Sequence, residues 1–569
     1  MAIMSEYRNI VIGTILAYFA FTLFLGYLGR SKADSGKEGL ANWAVAGRNI
    51  GWIILGLAYS ATYFSSYAVL GIAGQAYGHG LSVITIASAY FIPTAIIMYL
   101  LGSVVNIIGR KNHYMTIGDL LEDRFESKWI RLPLFLTTLI FSGYYVGIQL
   151  IGASIVLEQL AGIPFFFANI LGAAVLSVYV AMGGFKSTAL TDTLQGVLLF
   201  VALFGGGLMA IMLTKGQLFP LLLENHGIAS LTAPGLKGAM TSKFAFSYNV
   251  NIIIYAFGYM FMQWLLSASN ATSLRRGAVM YSIICPAGYI FGSILLGLAG
   301  LSLGIAVSNA DQIFPVVVVQ FFGPLVGSML VAGVLGATQS TAASVLAGVS
   351  LSTSYDFYQK MINPEADPKR VLVISRVLTF VILGVSIVLA LKAKTAIIFL
   401  GAIGISFFSV MAPVILSALY WPRATKQGAI LAPFVGLLGL CFVIFVKPNF
   451  LGLHPGLWGF ATSSLTLIIV SLLTAPSPDS TIEKIHGLVA KIYGKQQNQL
   501  LYPVTGKTSV ALLVVLAQVL AISFGLNYIT TETMLFGMSA QYIWVVAWVG
   551  AALLAQLSLF KHIKIEENV

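Results

Sequence analysis

Charge is what this chain lacks most: Asp, Glu, Lys and Arg make up 9% of its 569 residues, against about 25% in a soluble domain. Cysteine is nearly absent. Cys285 and Cys441 both lie in apolar stretches and form no CxxC pair, which excludes a disulfide framework and a thiolate metal site. The six histidines (His79, His113, His226, His454, His486 and His562) are scattered, none at i, i+4 from a carboxylate or another histidine, so no zinc motif is present. No phosphate-binding loop, catalytic triad or haem pattern occurs, and no polar stretch is long enough for an ATPase domain. These absences argue against an enzyme and against transport driven by this chain's own ATP hydrolysis.

What is there is apolar. Residues of hydrophobic type form 58% of the chain, and Gly contributes 57 positions, a composition suited to close helix packing in lipid. Fifteen runs long enough to cross a bilayer occur near residues 9–29, 51–76, 81–108, 131–157, 164–182, 188–214, 244–267, 278–306, 326–354, 371–391, 396–420, 427–446, 458–474, 509–528 and 538–560. The first is called the leading helix below, and the others spans 1 to 14. The reading is an all-α polytopic membrane protein of the cell membrane. Of the 31 Lys and Arg residues, 24 fall on one side if the N-terminus lies outside. This positive-inside bias puts the C-terminus in the cytoplasm and accounts for the net charge of +12 without a nucleic-acid partner. Two polar stretches are longer than the rest, about 215–243 and 475–508, and the second reads as a short amphipathic surface helix.

Polar residues inside the runs point to chemistry. Nearly all acidic residues read as loop residues, and Asp192 in GGFKSTALTDTLQG is the clear exception. It either caps the start of span 5 or helps to hold a cation, the default expectation for a carboxylate within a membrane. Span 8 carries LVAGVLGATQSTAASVLAGVSLSTSYDFYQ, where Ser340 and Ser344 share a face and Thr341 lies beside them. Span 1 carries GLAYSATYFSSYAVLGIAG, with Ser60, Thr62, Ser65 and Ser66 mid-span among glycines. Such hydroxyls either pack helix on helix or, where a helix unwinds, join free carbonyls around a hard cation.

Several motifs together resemble the sodium:solute symporters, the family of the sodium–proline, sodium–galactose, sodium–pantothenate and sodium–sialic acid carriers. They are WAVAGRNIGW, ATYFSSYAVLGIAGQAYGHG, MTIGDLLEDRFESK, YYVGIQLIGASIVLEQLAGI, GGFKSTALTDTLQG, SLSTSYDFYQ and WPRATKQGA, which follow one another over about residues 40–435. The resemblance implies a five-plus-five inverted repeat over spans 1–10, with spans 1 and 6 broken near the midplane. It divides the chain into a leading segment at 1–40, a ten-helix core at 41–421 and four additional spans at 422–569. It implies Na⁺ as coupling ion, held by the carbonyls of Ala61, Phe64 and Ala337 and the hydroxyls of Ser340 and Thr341. A second cation site used by some members matches at Asp192, Ser340 and Ser344, while its third serine position is Ala343.

The partner is expected to be a small organic solute contacting Tyr67, Gln149, Asn251 and Tyr255. The sugar-stacking aromatic of the galactose carriers falls on Ile253 and the acidic residue of the proline carriers on Tyr63, which argues against both solutes. GGFKSTALTDTLQG and NFLGLHPGLWG are most similar to the pantothenate and monocarboxylate branches. The expected activity is therefore Na⁺-coupled uptake of a carboxylate. The alternatives are Na⁺- or H⁺-coupled uptake of a proline-like amino acid or a sugar, and a membrane sensor that binds solute without carrying it.

Overall fold

The computed structural model describes residues 2–30, 36–321, 324–392, 397–494, 506–529 and 533–567. Among them, 13 helices are long and apolar enough to cross a bilayer, and two bent pairs bring the number to 15. Each expected run becomes one crossing. Leu438, Phe445 and Leu473 are 71%, 69% and 81% exposed on their helices, as side chains facing lipid are. The one described sheet is a two-stranded hairpin, Met534–Leu535 against Met538–Ser539.

Both bent pairs fall where breaks were expected. Trp52–Tyr63 and Tyr67–Thr85 meet at 58°, and Ser242–Tyr255 and Tyr259–Ser267 at 45°. The first break has a clear cause in hydrogen bonding. A continuing helix would send the amides of Ser65 and Ser66 to the carbonyls of Ala61 and Thr62. Instead Ser65 N–H donates to Tyr63 O at 3.1 Å, and Ser66 N–H to Gln149 Oε1 at 2.8 Å. Two carbonyls are thereby released inside the protein.

Span 2 begins later than the apolar run does, at Phe91–Lys111. Pro93 tolerates only the first turn of a helix, so the chain from Gly80 (φ 77°) to Thr85 forms a tight 3-10 stretch instead. Span 5 starts at Phe185, after Gly184 at φ 54°. A side chain at Gly184 would meet Trp43, with a Cβ 2.4 Å from its ring, so glycine is required there on both counts.

The helix expected in the 475–508 stretch is present and docks one face on the protein while Glu483, Lys484 and Lys491 stay exposed. Asp479–Ile482, Glu483–Gly487 and Leu488–Ile492 run on as one helical segment that buries Ile485, Val489 and Ile492. It is tied to the loop after span 2 by Thr481 Oγ1–H to Glu126 Oε1 at 2.8 Å and by an ion pair of Lys484 with Asp123. Residues 495–505 lie outside the described residues.

The leading helix packs against spans 4, 5 and 8. Gly26 allows the closest approach, since a Cβ there would lie 2.4 Å from Tyr179 Cβ, and its carbonyl accepts from Ser187 Oγ at 2.7 Å.

Candidate cation and solute site

The carbonyls released at the break in span 1 face span 8. Ser340 Oγ–H donates to Ala61 O at 2.9 Å and Thr341 Oγ1–H to Thr62 O at 3.0 Å, with Ala61 O at 3.4 Å. The same two hydroxyls lie 3.1 and 3.3 Å from Ala337 O. Four of the five expected sodium ligands (Ala61, Ala337, Ser340, Thr341) are thus in mutual contact. The fifth, Phe64, sits at the break itself with φ −80° and ψ 82°. Thr62 was not expected. Its carbonyl belongs to the same cluster, and it lay in the quoted motif as one hydroxyl among several. The arrangement is a buried set of neutral oxygens, the donor chemistry that suits a hard monovalent cation. A cation there takes the lone pairs of the hydroxyls once their protons turn away.

Asp192 lies two turns inside span 5, so it does not cap that helix. Its side chain is fully buried, and Oδ2 accepts from Ser344 Oγ at 3.2 Å. Ser344 Oγ in turn lies 3.1 Å from Thr62 Oγ1, which accepts from Trp264 Nε1–H at 3.2 Å. A polar chain therefore joins the carboxylate to the residues of the first cluster. Ala343 is buried and supplies no side-chain oxygen.

The expected solute contacts separate. Tyr67 lines a cavity of about 550 Å³ with Tyr248, Phe244, Met240, Ile403 and His454, and Gln149, Asn251 and Tyr255 do not line it. The hydroxyls of Tyr67 and Tyr248 are hydrogen-bonded to each other. Tyr255 stands beside the two breaks, 5.8 Å ring to ring from Tyr63 and 6.1 Å from Tyr145. Gln149 Oε1 accepts from both Ser66 N–H and, at 2.9 Å, Ser66 Oγ–H. Among the described residues, Gln149 Nε2, both amide atoms of Asn251 and the Tyr255 hydroxyl are buried without a hydrogen-bond partner. Buried polar atoms are rarely left so.

Two features escaped the sequence. His454, marked in the sequence only by the proline that follows it, is buried, lines the cavity, and meets the Tyr248 ring edge-on at 5.3 Å. Gly456 N–H donates to its Nδ1 at 3.3 Å. Asp192 is also not the only buried carboxylate. Asp356, Asp119 and Asp311 are buried too, since each has a compensating partner that sequence spacing conceals. Arg131 pairs with Asp119 at 2.5 Å and with Glu122 and Asp356. Asp356 further accepts from Thr116 Oγ1–H at 2.7 Å and from Tyr259 O–H at 2.6 Å. Among the described residues no group of three His, Cys, Asp or Glu side chains is arranged to hold a metal ion.

The family profile of the sodium:solute symporters matches residues 43–436. The chain belongs to the sodium:solute symporter family. This is a family of membrane transporters that couple a small organic solute to Na⁺, and the oxygen cluster is read below in that light. The symporter is 25% identical to a sodium/proline symporter of Staphylococcus aureus over 81% of this chain and 92% of that protein. It is 26% identical to a sodium/pantothenate symporter of Escherichia coli, over 83% of this chain and 98% of the other. Its fold matches that of a Na⁺-coupled sialic acid symporter solved in a substrate-bound, outward-open state, with a TM-score of 0.68 and 18% identity. That match covers 82% of this chain and 99% of the solved one. The architecture is thus a nearly all-helical, multi-pass inverted-repeat transporter, and Na⁺ is the coupling ion.

Proposed function

We propose that this symporter carries a small carboxylate, a monocarboxylate or pantothenate, into the cell together with Na⁺, its N-terminus outside and its C-terminus cytoplasmic. Ala61, Phe64, Ala337, Ser340 and Thr341 hold the ion. Asp192 and Ser344 hold a second cation, and Gln149, beside the break in span 1, contacts the solute. The observation that carries the carboxylate reading is the state of Gln149. Its oxygen is engaged by Ser66, so its free group is the Nε2 donor. Free donors select a solute rich in acceptors, because a site with unpaired buried donors rejects analogues that cannot pair them.

Strong accumulation of a monoanion requires two cations. One Na⁺ falling through 100 mV supplies about 2.3 kcal/mol, and a tenfold gradient about 1.4. For a monoanion moving with a single Na⁺ the voltage term cancels, and only about tenfold accumulation remains.

Similarity to sodium/proline symporters favours a second reading, a proline-like amino acid. Equilibrium binding in Na⁺ separates the two. One of labelled pantothenate, pyruvate or lactate binds and proline does not, and Gln149→Leu weakens that binding at least tenfold. Binding of proline alone, or of a carboxylate with unchanged affinity in Gln149→Leu, contradicts the reading.

A further inference from the structure

The cation reading of Asp192 leaves a shortfall of oxygen ligands, because Ala343 stands where a third serine is absent. The leading helix, outside the ten-helix core, packs on the two helices that carry Asp192 and Ser344. Tyr18 is buried, and its hydroxyl has a partner on each side. It accepts from Gln195 Nε2–H of span 5 at 2.9 Å and donates to Gln339 Oε1 of span 8 at 2.9 Å.

Gln195 has spent its nitrogen on Tyr18, so the end it leaves free is Oε1, which is buried and has no hydrogen-bond partner among the described residues. Two further oxygens share this state, Asp192 Oδ1 and Thr188 Oγ1. Positions 188, 192 and 195 stand at i, i+4 and i+7, one face of span 5. Span 8 makes room for this face at Gly336, where a Cβ would lie 3.2 Å from Gln195 Cβ. Gly336 is one turn before Ser340, and Gln339 directly precedes it. Three orphaned oxygens on one helix face, one of them a carboxylate, are the donors a hard cation needs.

We propose that Gln195 Oε1 supplements Asp192 as a ligand of the second cation, and that Tyr18 is the positioning residue that turns this oxygen toward it. The inference rests on the two-cation reading above. It gives the leading helix a part in ion coupling and makes the missing serine at Ala343 immaterial.

The test uses radiolabelled sodium binding to the purified symporter, with no solute present. Two Na⁺ bind per wild-type chain. Tyr18→Phe and Gln195→Met each keep one ion at wild-type affinity and weaken the other at least fivefold, while their thermal midpoints in K⁺ match the wild type. Gln195→Glu, which restores an oxygen, retains both ions. A purely structural role predicts the reverse order, since it makes the buried extra carboxylate worse than methionine. Should Tyr18→Phe fail to fold, the two Gln195 variants decide the matter. Two ions at wild-type affinity in both Tyr18→Phe and Gln195→Met overturn the inference, as does a single ion in the wild type. Unchanged binding in Asp192→Asn as well overturns the underlying cation assignment rather than the role of Tyr18.

Discussion

Ser340→Ala and Thr341→Ala each raise the Na⁺ concentration for half-maximal uptake by about tenfold, equivalent to ~1.4 kcal/mol of cation binding. Each hydroxyl faces a carbonyl that the break in span 1 has released, at 2.9 Å from Ala61 O and 3.0 Å from Thr62 O. Alanine removes one oxygen from the cluster and leaves its helix intact. If these hydroxyls only fastened span 8 to span 1, the substitutions would lower the thermal midpoint equally in Na⁺ and K⁺. The account expects instead that the stabilisation gained on adding Na⁺ shrinks, because a ligand stabilises a fold in proportion to its occupancy. Unchanged Na⁺ dependence in both variants contradicts the assigned site.

Arg131→Met costs about 3–5 kcal/mol of stability, the range for removing one partner of a buried ion pair. The guanidinium is the one cation paired with Asp119, Glu122 and Asp356 among the described residues, and Asp356 is fully buried. Arg131→Lys does not restore the loss, since an ammonium cannot reproduce the planar fork that meets several carboxylates at once. Adding Asp356→Asn to Arg131→Met recovers part of it by removing a stranded charge. Denaturation in detergent checks the series, and a loss below about 1 kcal/mol in Arg131→Met contradicts the described network. The same network joins span 3, span 8 and, through the Tyr259 hydroxyl, the half of span 6 that follows its break.

The crossings were legible because a bilayer imposes one length and one polarity on each run; the break in span 1 showed as a hydroxyl- and glycine-rich interruption, and that in span 6 only through resemblance. The pairing of Ala61, Ala337, Ser340 and Thr341 was legible only through resemblance, since main-chain ligands leave no side-chain signature. Arg131 and Asp356 stand 225 positions apart, and nothing local marks either as buried. His454 went unmarked for a related reason: it belongs to an additional span that enters the core at Ser247, where His454 N–H donates to Ser247 Oγ at 2.8 Å. The helix at 479–492 carries an amphipathic pattern, and periodicity cannot tell a helix lying on lipid from one docked on protein.

The central claim, Na⁺-coupled carboxylate symport, is tested most directly in proteoliposomes at a clamped potential. Labelled pantothenate, pyruvate, lactate, acetate, proline, galactose and sialic acid are offered with an inward Na⁺ gradient and again with K⁺ in place of Na⁺. The account predicts accumulation of one of the first four solutes, in Na⁺ only. Equal uptake in K⁺, or Na⁺-dependent accumulation of proline or galactose alone, contradicts it.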